Sequence, residues 1–219
     1  MISILMPIYN GIEFIDESLP TVIYQTYKNW ELLIGINGHE ENSIVYKQAK
    51  QWEEYDNRIK VYDLLHISGK SNSLNEMVKM CNYDWVSLLD VDDKWLPNKL
   101  SSQIPYMDKF DVIGTHCKYF GNMNIIPKIP IGNISSFDFF KFNPIINSSC
   151  LIKKEYAYWN SEVDGVEDYD LWLKLRKQVK LFYNVSDIQV MHRIHNDSSF
   201  NAKGNHLKVK DLLLKYSNI

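Results

Sequence analysis

Short unbroken apolar runs alternate along this chain with segments of helical spacing. Ser3–Tyr9 (SILMPIY) predicts a first strand, and Asn10-Gly11 behind it is turn chemistry. Helical spacing follows over Phe14–Tyr27, with Ile15, Leu19, Val22 and Ile23 on one side and Pro20 interrupting it. Glu31–Ile36 (ELLIGI), Ile59–Leu65 and Trp85–Leu89 predict three more strands. Ser43–Trp52 and Ser71–Met80 predict the helices between them. Such β-α-β-α alternation specifies a right-handed, mostly parallel central sheet with helices on both faces, an α/β fold. After Pro97 one further helix is expected, then a strand over Asp111–Phe120. Beyond it the pattern degrades. Asn122–Ser136 reads as a loop or hairpin flap, Ser149–Lys153, Lys180–Tyr183 and Gln189–Ile194 as short strands, and Glu167–Lys177 as a helix. Leu207–Tyr216 is amphipathic, with Leu212, Leu213 and Tyr216 opposite Lys208, Lys210 and Lys215. It reads as a packed closing helix, with peripheral membrane contact as the alternative. At 219 residues, one domain spanning 1–219 is expected, with a nucleotide-binding half (1–100) and a more irregular acceptor-side half (101–219).

The fourth apolar run ends in LDVDDKW, which places Asp90, Asp92 and Asp93 within four positions. Ligands of open α/β sheets bind beyond the carboxyl ends of the strands, so these acids belong at the site. Crowded carboxylates raise one another's pKa unless a cation joins them. Oxygen ligands suit Mg²⁺ or Mn²⁺, which are commonly held by one or two carboxylates together with substrate phosphates. A solvated acidic turn is the competing reading. A calcium EF-hand loop is excluded, because Lys94, Trp95 and Ser101 stand where a ligand, Gly and Glu are required.

Composition narrows the picture. The net charge of −3 and the absence of a basic block argue against nucleic acid as a partner. Cys81, Cys117 and Cys150 are widely spaced and odd in number, and read as reduced thiols of a cytoplasmic protein. Neither a signal peptide nor an apolar run long enough to span a bilayer is present. There is no GxxxxGK[ST] or GxGxxG loop, no HExxH and no serine elbow.

Two further clusters carry chemistry. Gly165–Trp172 (GVEDYDLW) opens a helix in acid. Its carboxylates either cap the helix N-terminus or supply a base able to take a proton from an attacking hydroxyl. Glu167 and Trp172 are expected on the acceptor side of that base. The run Met191–Phe200 (MHRIHNDSSF) follows a strand. Arg193 can pair with phosphate in a fork, and a neutral His195 can ligate a metal with Asp92 and Asp93. A surface His–Arg cluster is the alternative.

Taken in order, ISILMPIYNG, GKSNSLNEM, LDVDDKWLPNKL, GVEDYDLWLKL and HRIHNDSSF resemble the family-2 glycosyltransferases of the GT-A fold, from Ser3 to about Phe200. The resemblance implies inverting transfer of a sugar from a nucleotide-diphosphate donor, a UDP-sugar, to an acceptor hydroxyl. It assigns Asp90, Asp92 and Asp93 to the ribose-, diphosphate- and metal-binding loop and Asp168 to the catalytic base. It places Pro7, Tyr9 and Asn10 against the nucleoside and Lys70 at the donor. One departure stands out: where the family has an acidic pair followed by Gly-Ser, this chain has Ile36-Asn37-Gly38-His39. The Asn37 carbonyl can accept a base N–H without the charge assistance of a carboxylate. A nucleotidyltransferase and a catalytically silent sugar-nucleotide-binding module are the rival readings. The acceptor, whether glycan, lipid-linked or protein, is not specified by any of these motifs.

Overall fold

The computed structural model describes residues 1–196 and 204–217. Its first half follows the predicted alternation: β1 (Ile2–Ile8), α1 (Ile15–Ile23), β2 (Trp30–Asn37), α2 (Ile44–Lys50), α3 (Trp52–Tyr55), β3 (Ile59–Leu64), α4 (Lys70–Met80) and β4 (Trp85–Leu88). Strands β3, β2, β1 and β4 lie side by side, all parallel. Their apolar runs are continuous because both faces are covered. Ile2, Ile4, Met6 and Ile8 pack with Ile15, Leu19 and Val22 of α1, whereas Leu5 and Leu33 face Leu74 and Met77 of α4. The helix expected over Phe14–Tyr27 passes through Pro20 but stops at Ile23, and that expected over Ser43–Trp52 breaks at Gln51.

The second half adds β5 (Lys94–Trp95), α5 (Lys99–Gln103), β6 (Val112–Gly121), β7 (Gly132–Asn133), β8 (Leu151–Lys153), α6 (Glu167–Lys177), β9 (Phe182–Ile194) and α7 (Asn205–Ser217). The sheet continues from β4 through β8, β6 and β9 to β5, with β7 also on β9, and here pairings are mixed. Two differences from the sequence pattern matter for the site. The short strands expected at Lys180–Tyr183 and Gln189–Ile194 are one strand, β9, whose register against β6 slips between Thr115 and Cys117. Its exposed Ser186 and Asp187 mimic a turn in the sequence. Strand β5, too short to show periodicity, pairs antiparallel with β9 through Lys94 and Met191.

This second pairing curls the sheet. Flat, β4 and β5 would stand roughly 19 Å apart, four strand spacings. The connection between them is a tight turn, closed by the Asp93 N–H on the Asp90 carbonyl at 3.0 Å. Only a curled sheet brings the two strands within its reach. The acidic turn is thereby held between β4 and the end of β9. At the far end of the chain, Leu212 and Tyr216 of α7 are buried in the core beside α6. Among the described residues no helix is long and apolar enough to cross a membrane.

Beneath the acidic turn lies a buried cation. Lys99 has no exposed surface. Its Nζ sits 3.9 Å from the Trp95 ring centroid and donates to Ser87 Oγ at 2.5 Å and to the Cys150 carbonyl at 3.3 Å. Burial pushes its pKa down to about 7. The unfolded chain binds the lysine proton up to the ordinary value near 10, so stability should rise with pH between about 7 and 10 from this group. Lys99→Met should abolish that rise in thermal melts and leave the pH 7 melting temperature unchanged or higher, since an apolar residue of similar length avoids the desolvated charge.

Candidate active site

The three acids of the turn have three different environments. Asp90 meets Lys70, the first residue of α4, with Nζ 2.6 Å from Oδ1. Asn147 Nδ2 donates to both its oxygens at 3.1 and 3.3 Å. Burial alone would raise the Asp90 pKa, but the lysine charge and these hydrogen bonds outweigh it and hold the group below the usual carboxylate range. Lys70 also stands 3.8 Å from Glu167 Oε1, and although burial works against its charge, the surrounding carboxylates raise its pKa.

Asp93 is fully buried and faces β9. Its Oδ1 accepts the Arg193 backbone N–H at 2.7 Å, and Oδ2 lies 2.9 Å from His192 Nδ1. Burial favours a neutral His192 ring, yet Asp93, with Asp90 and Asp92, overrides it and pushes its pKa up to about 9. With both oxygens so engaged, Asp93 fastens the turn to the sheet.

Asp92 is the acid left poorly compensated. Burial and the charges of Asp93 and Asp90 raise its pKa. Its Oδ2 lies 3.0 Å from His195 Nε2. Among the described residues no group of three or more His, Cys, Asp or Glu side chains is arranged to hold a metal ion. The Asp92–His195 pair nonetheless fits one: two ligand atoms 3.0 Å apart match neighbouring vertices of an octahedron with bonds of about 2.1 Å. Substrate oxygens and water would complete such a shell.

Arg193 is stacked between Phe14 and Phe120, 4.4 and 4.5 Å from their ring centroids. It donates from Nε to the Asp92 carbonyl at 2.8 Å and from Nη2 to Glu17 at 2.8 Å. Lys94 Nζ reaches the same Glu17 oxygen at 2.5 Å. The guanidinium is thus built into the wall that supports the turn. Asp197–Phe200 of the same motif lie outside the described residues.

Opposite the turn, two helix N-termini converge. Asp164 Oδ1 accepts from the Ser71 hydroxyl at 2.5 Å and the Ser71 N–H at 3.2 Å, capping α4 from the loop that leads into α6. Gly69, at φ +86°, makes this possible, because a Cβ there would lie 2.4 Å from Asp164 Oδ2. The acids of α6 then divide. Glu167 accepts the Gly165 N–H at 2.6 Å, bracing the turn that leads into α6. Asp170 is buried and accepts from Lys215 and Tyr216 of α7, both at 3.1 Å. Asp168, half-buried, accepts the Tyr169 N–H at 2.7 Å through Oδ1 and the Asn143 amide at 2.9 Å through Oδ2. Burial, then the Glu167 charge, push its pKa up to about 6 against the pull of Lys70. Trp172 does not reach the acceptor side. It is fully buried, edge-on to Phe182, because the apolar stripe of α6 turns it into the core.

The ends of β1 and β2 form the third wall. Pro7 is half-buried opposite Gly35, and Asn10 is exposed in the bend that follows. Tyr9 is 57% exposed, its ring 5.5 Å from that of His39, whose Nε2 lies 2.6 Å from the Tyr9 carbonyl. Asn37 ends β2 and is buried. Sequence reasoning missed Asn143, Asn147 and His192 as partners of the acids, and Asp164 as the cap of α4. No periodicity marks them. Only the loop position of Asn143 and Asn147, in a segment of degraded pattern, hinted at a site role.

Comparison with known proteins agrees with this geometry. The profile of "Glycosyl transferase family 2" matches residues 3–155. The chain is 32% identical over 211 residues to the O-antigen biosynthesis glycosyltransferase WbnJ of Escherichia coli, covering 91% of this chain and 82% of that one. It is 30% identical over 185 residues to the Escherichia coli UDP-Glc:alpha-D-GlcNAc-diphosphoundecaprenol beta-1,3-glucosyltransferase WfgD, covering 81% of this chain and 70% of that one. In fold it is similar to Staphylococcus aureus TarS 1–349 in complex with UDP-GlcNAc, at TM-score 0.78 and 16% identity, covering 98% of this chain and 66% of that one. Profile, relatives and fold all meet on the sheet that carries Asp90, Asp92 and Asp93, and the chain belongs to glycosyl transferase family 2, as a glycosyltransferase acting with a nucleotide-sugar donor.

Proposed function

We propose that this glycosyltransferase moves a sugar from a UDP-sugar to an acceptor hydroxyl with inversion, and that it uses a divalent cation, Mn²⁺ or Mg²⁺. The observation that carries the reading is Asp168: a carboxylate fixed by Asn143, pushed up to about 6, standing at a helix end beside the Lys70–Asp90 pair. A base with that pKa is ionised at neutral pH and still takes a proton effectively. Asp168 accepts the proton of the acceptor hydroxyl as its oxygen attacks the anomeric carbon. Attack from the face opposite the departing diphosphate inverts that carbon. Asp90 and Lys70 form the donor side, and Pro7, Tyr9, Asn10 and Asn37 the nucleoside side. Asp92 and His195 would hold the cation, which when bound neutralises charge on the diphosphate as a Lewis acid. The acceptor is a glycan, in keeping with the lipid-linked glycan named for WfgD. A cytoplasmic site of action suits the three free, buried cysteines.

The metal assignment separates two neighbouring acids. Asp92→Asn should leave the melting temperature close to that of the wild type and abolish the Mn²⁺-dependent part of UDP binding in calorimetry. Asp93→Asn should instead destabilise the fold by about 1–3 kcal/mol, because a buried acceptor of two hydrogen bonds is altered. Equal UDP affinity with and without Mn²⁺ in the wild type rules the cation out.

For the base, Asp168→Asn keeps size and can accept one of the two hydrogen bonds, from Asn143 or from Tyr169, through its single carbonyl oxygen, but it cannot take a proton. Single-turnover sugar transfer at saturating donor should fall roughly 10²–10⁴-fold, with the UDP dissociation constant little changed. In the wild type, transfer should decline as pH drops through about 6, where Asp168 is protonated. Transfer by Asp168→Asn within a few-fold of the wild type would remove Asp168 from this role.

A further inference from the structure

The segment between Phe137 and Pro144 is fastened at three points. The Phe139 carbonyl accepts the Tyr169 hydroxyl. Asn143 donates to Asp168 Oδ2 at 2.9 Å, and its own Oδ1 accepts the Ile145 N–H at 3.2 Å. The Pro144 carbonyl accepts from buried Asn184 Nδ2 at 2.9 Å. Between these anchors only Phe140, Lys141 and Phe142 project, and both phenylalanines are 41% exposed. The Phe142 ring leans on Phe137, with centroids 5.3 Å apart, so its other surface is left to solvent. A rigid loop that displays two aromatic rings is preorganised for a ligand, since little side-chain freedom remains to be lost. Phe142 directly precedes the residue that holds Asp168, so its Cα lies about 3.8 Å from that of Asn143.

From this the geometry points to residues 141–143 as the acceptor subsite, with Phe142 as a platform for the C–H face of a pyranose ring and Asn143 as the residue that positions Asp168 toward that sugar's hydroxyl. Phe140 turns away, toward Lys177 and Tyr216. The inference rests on Asp168 being the base. A saccharide fits better than a membrane surface. Two rings are too few to anchor a protein in a bilayer, and exposed Asp138, which accepts the Phe140 N–H at 3.0 Å, would be repelled by an anionic leaflet. A pyranose needs one apolar face and nearby polar groups. Phe142 supplies the first; Asn143 and Lys141 supply the second.

The test is binding of a panel of methyl glycopyranosides, read by saturation-transfer NMR on the full chain with UDP and Mn²⁺ present. At least one glycoside should bind the wild type. Phe142→Ala should weaken that binding roughly tenfold, the value of one aromatic contact, while Phe142→Tyr retains it within about twofold and UDP affinity is unchanged in both. Asp168→Asn should still bind the glycoside. If Asp168→Asn transfers sugar normally while Phe142→Ala loses the glycoside, the base reading fails and the subsite stands. The subsite is overturned if no glycoside binds the wild type, if Phe142→Ala binds as well as the wild type, or if the loop instead attaches the protein to phosphatidylglycerol vesicles through Phe140 and Phe142.

Discussion

The buried carboxylate of Asp93 is the constraint on which the site depends. A carboxylate removed from water must be paired and hydrogen-bonded or it will not stay ionised. Asp93 meets that demand with the Arg193 backbone N–H and the His192 ring, both on β9. The short β5–β9 pairing and the curl of the sheet serve the same junction. While Asp93 is held by β9, its two neighbours in the turn meet different surroundings. Asp90 is matched by Lys70 and Asn147, and Asp92 is left as the acid whose ionisation most needs a further cation.

The same division of labour recurs at α6. Glu167, Asp168 and Asp170 stand within four positions, yet one braces the turn before the helix, one is braced by Asn143 with a raised pKa, and one ties down α7. Lys70 lies between the two acidic clusters, 2.6 Å from Asp90 and 3.8 Å from Glu167. Its charge therefore acts on both at once, lowering the pKa of Asp90 and restraining the rise at Asp168. The two acidic clusters are thus electrostatically joined through one ammonium group.

Much of this was legible in the residues. The apolar runs of β1 to β4 could be read because strands buried on both faces leave an unbroken signal, and α6 begins and ends where its pattern does. The acids were legible as a group, since they crowd together just beyond a strand's carboxyl end, where ligands of open α/β sheets bind. Their individual roles were not. Arg193 reads in sequence as a phosphate ligand, while its stacking between Phe14 and Phe120 could not be read there. Trp172 reads in sequence as an acceptor-side residue, but the fold buries it, because a helical stripe does not say how wide the buried face will be.

The sequence by itself determined the strand–helix alternation, the position of the acidic turn and the acid-rich start of α6, all of which rest on neighbours within a few residues. Tertiary structure decided which partners each acid meets. Those outcomes depend on partners far along the chain: Asn147 is 57 residues from Asp90, His192 is 99 from Asp93, and His195 is 103 from Asp92. Coulomb and desolvation energies are set by distances in space and by burial, and neither quantity is written in the local order of residues.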